Sequence, residues 1–276
     1  MIFKVGFSPC PNDTFIFDAL VHKKIDTQDL NFSYYIADVE DLNKKAFNNE
    51  LDITKISYHA YALISEKYKI LNSGSALGYR NGPLLVSKKK VYPDEVNDLK
   101  IGIPGKNTTA NLLLSIAYPK VKSKIEYLFS DIEEAVLSNE VDAGLIIHEN
   151  RFTYKEKGLK KIIDLGEYWE KETDLPIPLG GIIIKRDINE EIQMKFNRIL
   201  KASIEFAFKN PNSSIDYIKK NSQELDDDVI KKHIELYVNK FSLDLGQIGK
   251  NAIKALHKIG AEKGIIQSVK NDIFVE

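Results

Sequence analysis

Two closely spaced prolines constrain this chain more than any other feature. They sit in Ser8-Pro9-Cys10-Pro11-Asn12-Asp13-Thr14-Phe15, directly behind the apolar run Ile2-Phe3-Lys4-Val5-Gly6-Phe7. Pro9 and Pro11 each fix a φ angle and remove a backbone donor, so this segment is expected to be neither helix nor central strand. The pattern reads as strand, rigid turn, helix, with the helix beginning near Phe15 and Asp13 or Thr14 as its cap. A helix N-terminus held rigidly behind a strand suits a polar or anionic ligand.

The rest of the first half repeats that alternation. Residues 3–7, 30–36, 53–56 and 70–71 read as strands, and residues 15–22, 39–47 and 58–66 as helices. This predicts α/β architecture with a mainly parallel sheet. A second block follows, with strands at 101–103, 125–129, 143–147 and 161–163 and helices at 109–117 and 132–137. From Asn189 onward the pattern is helical. Ile192, Phe196, Ile199, Ser203 and Phe206 share one face. Pro211 ends that helix, Asp226-Asp227-Asp228 caps a helix over 229–241, and a last amphipathic helix covers 245–259.

Two Gly- and Pro-bearing apolar segments bracket the second block: Gly82-Pro83-Leu84-Leu85-Val86 and residues 176–184. Read as crossings, they divide the chain into a discontinuous first lobe (1–84 and 185–276) and an inserted second lobe (85–184). That is the layout of two-lobed clamshell binding proteins, whose ligand lies between the lobes at the carboxyl ends of the strands.

Length and charge set outer limits. The 276 residues suffice for one large domain or two ordinary ones. A net charge of −1 gives no electrostatic reason to expect nucleic acid or an anionic membrane as partner, and Lys88-Lys89-Lys90 reads as solvated surface. The single cysteine, Cys10, excludes an internal disulfide and a multi-cysteine zinc site. It is either a nucleophile activated by the nearby helix N-terminus or, more simply, a small buried residue in a tight turn. No run approaches a membrane span, and Met1 leads straight into the first strand pattern without a signal peptide, so the cytoplasm is the expected location.

Three places can carry chemistry. Pro104-Gly105-Lys106-Asn107-Thr108-Thr109-Ala110 follows a strand and opens a helix. Its free N–H groups near Thr109 and Ala110 can hold a carboxylate or hydroxyls, or Thr108 merely caps its own helix. The spacing is not that of a nucleotide P-loop. Lys55-Ile56-Ser57 repeats the arrangement in the first lobe, with Lys55 a binding cation or a surface lysine and Ser57 a helix cap. Ser75-Ala76-Leu77-Gly78 either lines the cleft or only turns the chain. Of the five histidines, His22, His233 and His257 sit in charged helical stretches and are expected to be exposed. His59 is ambiguous. His148 emerges from the apolar strand Gly144-Leu145-Ile146-Ile147, where it serves either as a proton acceptor or as a structural residue. Metal-ligand spacing, a dinucleotide fingerprint and a nucleophile elbow are missing from the sequence. Together these residues describe a two-lobed protein for a small polar or anionic molecule.

Ser8-Pro9-Cys10-Pro11-Asn12-Asp13-Thr14-Phe15, Ser57-Tyr58-His59-Ala60-Tyr61, Gly74-Ser75-Ala76-Leu77-Gly78, residues 104–110 and Pro176-Ile177-Pro178-Leu179-Gly180-Gly181 resemble the 1,4-dihydroxy-6-naphthoate synthases of the futalosine route to menaquinone. The resemblance implies a type II periplasmic-binding-protein-like fold used as a carbon–carbon lyase. It implies cyclic dehypoxanthinyl futalosine as substrate and no metal or redox cofactor. The family's proton acceptor falls on His148. Its substrate contacts fall on Lys55, Ile56 and Ser57 and on Thr108, Thr109 and Ala110. The implied chemistry is proton removal from a hydroxyl or carbon, retro-aldol opening and aromatisation. Two rivals share the fold: an exported solute-binding protein, and a chorismate dehydratase, whose first loop is not expected to read as this one does.

Overall fold

A computed structural model of the chain describes residues 2–222, 226–270 and 272–276. In chain order the first half comprises β1 (Ile2–Phe7), α1 (Pro11–Val21), β2 (Asn31–Ile36), α2 (Val39–Phe47), β3 (Ile53–Ser57), α3 (Tyr58–Ile64), β4 (Tyr68–Ile70), β5 (Ala76–Gly78), β6 (Leu84–Ser87), β7 (Lys100–Ile103), α4 (Thr109–Ala117), β8 (Ser123–Glu126), α5 (Ile132–Leu137) and β9 (Ala143–Ile146). The remainder comprises α6 (Asn150–Thr153), β10 (Lys160–Asp164), α7 (Leu165–Thr173), β11 (Ile177–Lys185), α8 (Glu190–Lys209), α9 (Ile215–Asn221), α10 (Asp227–Tyr237), α11 (Lys240–Leu243) and α12 (Gly246–Glu262). None of the described helices is long and apolar enough to cross a membrane.

The strands form two sheets. One has the order β2-β1-β3-β11-β4, with β5 also paired to β11; the other has the order β10-β6-β9-β7-β8. Both are mixed, which corrects the expectation of mainly parallel sheets. Strand β11 runs antiparallel to β3, β4 and β5, and β6 runs antiparallel to β9 and β10. The antiparallel members β6 and β11 are the first strands after each crossing: each enters its sheet from the other one and runs against its neighbours there. Strand β11 belongs to the first sheet, although residues 177–184 fall in the inserted lobe of the sequence division. The return crossing therefore lies ahead of Ile177.

The apolar residues sort into layers. Phe3, Val5 and Phe7 of β1 pack with Phe17 and Leu20 of α1 and Phe196, Ile199 and Leu200 of α8 on one face of the first sheet. A second cluster joins the two sheets, from Ile56 and Tyr58 through Leu112, Leu113 and Leu114 of α4 to Ile253 and Leu256 of α12. Ile132 and Val136 of α5 cover the outer face of the second sheet. The middle cluster is continuous from lobe to lobe, so the seam is packed except where polar strand ends interrupt it.

Local chemistry explains most element boundaries. Helix α1 begins at Pro11 rather than near Phe15. A proline at the first helical position loses nothing, because that N–H has no helical partner in any case. Cys10 stands at the N-cap without a side-chain cap bond, and its carbonyl accepts from Asp13 N and Thr14 N. Neither Asp13 nor Thr14 is the cap. Asp226 caps α10 through its side chain, as expected, and Thr108 caps α4, one of the two readings its sequence allowed. Residues 125–129 are not one strand: β8 stops at Glu126 and Phe129 opens a 3₁₀ turn. The helix expected over 229–241 breaks after Tyr237, and Asn239 caps the separate α11.

Candidate active site

The polar interruption of the seam is a cavity of about 650 Å³, its open mouth included. Lys55, Ile56, Ser57, Thr108, Thr109, Ala110 and His148 all line it, so the residues singled out in the sequence meet on one surface. Ser8, Asn12, Asp13, Ala76, Asn81, Leu179, Gly180 and Tyr237 complete much of the wall.

The start of α4 supplies donors. Thr108 Oγ1 donates to Gly105 O and accepts from Asn111 N. Thr109 Oγ1 donates to Leu179 O at 2.5 Å and accepts from His59 N at 3.3 Å. Both hydroxyls are therefore committed to the protein, and the groups left for a ligand are the first-turn backbone N–H groups of Thr109 and Ala110. There the helix dipole and the donors act together on an anion. The same loop is tied to the first lobe. His59 Nδ1 lies 3.1 Å from Thr108 O, and Asn107 donates to the buried carboxylate of Glu40 at 2.7 Å. Burial raises the pKa of that carboxyl, while Asn43 and Asn107 pull against the rise by donating to the charged form.

At the end of β3, Lys55 is no surface lysine. Its ammonium is buried and lies 2.6 Å from Asp13 Oδ1. Ser57 occupies the N-cap position of α3 without capping it. Instead its backbone N–H donates to Asn43 Oδ1 and its hydroxyl accepts from Asn43 Nδ2. Asp13 collects four donors: Ser8 N and Ser8 Oγ on Oδ2, Asn12 Nδ2 and Lys55 Nζ on Oδ1. The rigid proline turn places this carboxylate, because α1 starts two residues ahead of it.

His148 follows β9 with φ +57°, the left-handed region in which a residue with a Cβ is strained. Such conformations persist only where surroundings over-determine them. Here Arg151, in the next helix, donates to Gly82 O on the first crossing and to Asp164 at the start of α7. Gly82 and Gly166 touch so closely that a Cβ on Gly82 would lie 2.3 Å from Gly166 N. The histidine loop is thus anchored to both sides of the seam. Phe129 meets the His148 ring edge-on at 4.9 Å, and His233 stacks on it at 6.2 Å. Nδ1 lies 3.5 Å from Cys10 Sγ, while buried Nε2 has no partner among the described residues. Burial lowers the His148 pKa to about 4, with Asp13 opposing and Lys55 reinforcing the shift. The imidazole is neutral at pH 7 and can take a proton.

Burial, then Glu149 and Asp13, push the Cys10 thiol well above its ordinary pKa. The helix N-terminus does not activate it, and the nucleophile reading gives way to the buried-turn one. His233 and His257 are both buried, against expectation. His233 holds Asn12 Oδ1 at 2.9 Å, and His257 meets Tyr58 O at 2.8 Å. Sequence reasoning missed His233, although Ile230, His233 and Tyr237 share the buried face of α10 at helical spacing.

Two mixed sheets joined by crossing strands, with a cavity lined by strand ends at their seam, define a periplasmic-binding-protein-like fold. The structure matches a Candida albicans protein described as having the generic periplasmic binding protein fold, with a TM-score of 0.71 over 99% of this chain and 93% of that one, at 16% identity. It matches a crystal structure from Archaeoglobus fulgidus with a TM-score of 0.91 at 40% identity, covering 96% and 98% of the two chains. The family model described as menaquinone biosynthesis matches residues 3–262, and the chain belongs to that family. It is 41% identical over 272 residues to the 1,4-dihydroxy-6-naphthoate synthase of Thermus thermophilus, covering 99% of this chain and 98% of that protein.

Proposed function

We propose that the protein is a 1,4-dihydroxy-6-naphthoate synthase that cleaves cyclic dehypoxanthinyl futalosine, with His148 as general base. The family membership and the full-length similarity to a synthase of that name support the product. The observation that carries the mechanism is the buried Nε2, without a partner among the described residues, of a neutral, half-buried histidine that lines the cavity.

The substrate carboxylate binds the N–H groups of Thr109 and Ala110, since Lys55 is already neutralised by Asp13. His148 Nε2 removes a proton from a substrate hydroxyl. The O–H electron pair closes a carbonyl, the adjacent carbon–carbon bond opens, and its electrons pass into the ring carbonyl, which becomes a phenol after protonation. Aromatisation drives the step. A positioned general base contributes about 10²–10⁴-fold. The closed seam supplies alignment and excludes water. As a biosynthetic lyase the protein would act in the cytoplasm on a small anionic substrate.

The test is mass spectrometry of products after the cyclic substrate, or chorismate, is mixed with purified protein. Release of 1,4-dihydroxy-6-naphthoate from the first and no dehydration of the second is the expected result. The opposite pattern overturns the assignment.

A further inference from the structure

Asn81 is the one buried side chain among the described residues that leaves both of its polar atoms, Oδ1 and Nδ2, without a partner. It has no surface open to solvent, and it lines the same cavity as His148. Exchanging the amide oxygen and nitrogen gains nothing, because neither position has a neighbour to bond. Buried amides are almost always paired, since each idle donor or acceptor weakens the fold. An amide kept idle on a cavity wall points to a ligand that completes it.

The backbone holds this amide in place. Asn81 lies on the first crossing, after β5 and before β6. On one side Arg80 N donates to Glu170 Oε1 of α7 at 2.5 Å. On the other, Gly82 O accepts from Arg151, and Pro83 O accepts from Leu165 N at 3.0 Å. The side chain rests on β5, where a Cβ on Gly78 would lie 3.0 Å from Nδ2. A group fixed in this way has little freedom left to lose when a ligand binds.

Its place along β11 sets which part of a ligand it meets. Gly78 pairs with Ile177, while the start of α4 bonds Leu179 through Thr109. Two strand residues separate these points, about 7 Å. The ligand carboxylate lies at α4 in the proposed reading, so Asn81 meets the oxygen substituents beyond it. Oδ1 accepts and Nδ2 donates. Hydroxyl chemistry answers both, with an O–H for Oδ1 and an oxygen lone pair for Nδ2. An anion would answer only Nδ2.

We infer that Asn81 is a specificity-determining residue whose amide hydrogen-bonds a ligand hydroxyl at the end remote from the carboxylate. The inference rests on the reading of the protein as a naphthoate synthase, which supplies the carboxylate and the hydroxyls. The α4 turn then holds the charge, and Asn81 selects ligands that carry hydroxyls over those that do not. A ligand without them leaves a buried donor and acceptor unanswered, which is the costly case for a polar site.

The test compares two ligands by anaerobic calorimetry: 1,4-dihydroxy-6-naphthoate, and 2-naphthoate, which has the same ring and carboxylate without the hydroxyls. Wild-type protein is expected to bind the first about tenfold to a hundredfold tighter. In Asn81→Leu, close in shape but apolar, that preference should vanish through weaker binding of the dihydroxy compound alone. A merely structural role would weaken both ligands together, and that result overturns the inference. Should Asn81→Leu crowd the site, the smaller Asn81→Ala must erase the same preference. Equal or undetectable binding of both ligands by wild-type protein also overturns it, as does a preference that survives in both variants. If the cyclic substrate is still converted in those cases, the synthase reading stands without the Asn81 contact. If the preference appears, vanishes in the variants and no cyclic substrate is converted, the synthase reading falls and the role of Asn81 in ligand selection stands.

Discussion

Lys55 Nζ and Asp13 Oδ1 lie 2.6 Å apart in the cavity wall, both side chains buried. The pair brings a lysine from the end of β3 against a carboxylate in the first turn of α1. It makes the wall neutral at that point, so an anionic ligand is left to the backbone donors of α4.

Breaking the pair from either side should strand the other charge. Asp13→Asn and Lys55→Met are each expected to lower unfolding free energy by about 3–5 kcal/mol, the usual cost of an unpaired buried charge. Denaturant unfolding measures this. A loss below about 1 kcal/mol in both variants would mean that the pair is open to solvent in the working protein.

Removing the imidazole should separate chemistry from binding. His148→Ala is expected to lower kcat by about 10²–10⁴-fold while the dissociation constant for product changes only a few-fold. Single-turnover kinetics and calorimetry check the two halves. Near-wild-type turnover would take His148 out of the reaction.

Acid should weaken the fold earlier than carboxylate titration would. His148 and His257 have pKa values lowered by burial from 6.5 to about 4, and His233 and His59 shift in the same direction. Between those limits the unfolded chain binds more protons than the folded one. Stability is therefore fully present above pH 6.5 and falls as pH drops toward 4. The slope is about 1.4 kcal/mol per pH unit for each such group. Unfolding free energies at pH 7, 6 and 5 test this, and a flat profile over that range contradicts the buried neutral histidines.

Thr109 stitches the seam rather than the ligand. Thr109→Val removes a donor to Leu179 O and an acceptor for His59 N. A loss of about 1–3 kcal/mol is expected for the stranded buried groups. Weaker product binding should accompany it, because the α4 turn loses its anchor. Calorimetry that finds product affinity unchanged counts against this turn as the anion site.

Much of the fold was legible because its signals are local. A hydroxyl ahead of an apolar run marks the cap of α4, and three aspartates mark the start of α10. Strand ends followed by polar turns pointed to Lys55, Thr108, Thr109 and His148 as neighbours across one cleft. Where local rules allowed two outcomes, the reading failed. Pro11 can end a turn or begin a helix, and it begins one. Ser57 can cap α3 or be held by Asn43, and it is held. His233 carries charged neighbours along the chain but has none of them on its own face of α10.

By itself the sequence determined the alternation of strands and helices and the residue types gathered at the strand ends, since each is encoded within a few positions by φ restriction, capping and periodicity. Only the tertiary structure decided the partners: Lys55 with Asp13 across 42 residues, Cys10 with His148 across 138, His233 with Asn12 across 221. Those contacts depend on sheet order and on how α10 packs beside α1. Sheet order and packing are settled by the summed burial of apolar faces, and no short stretch of sequence records that sum.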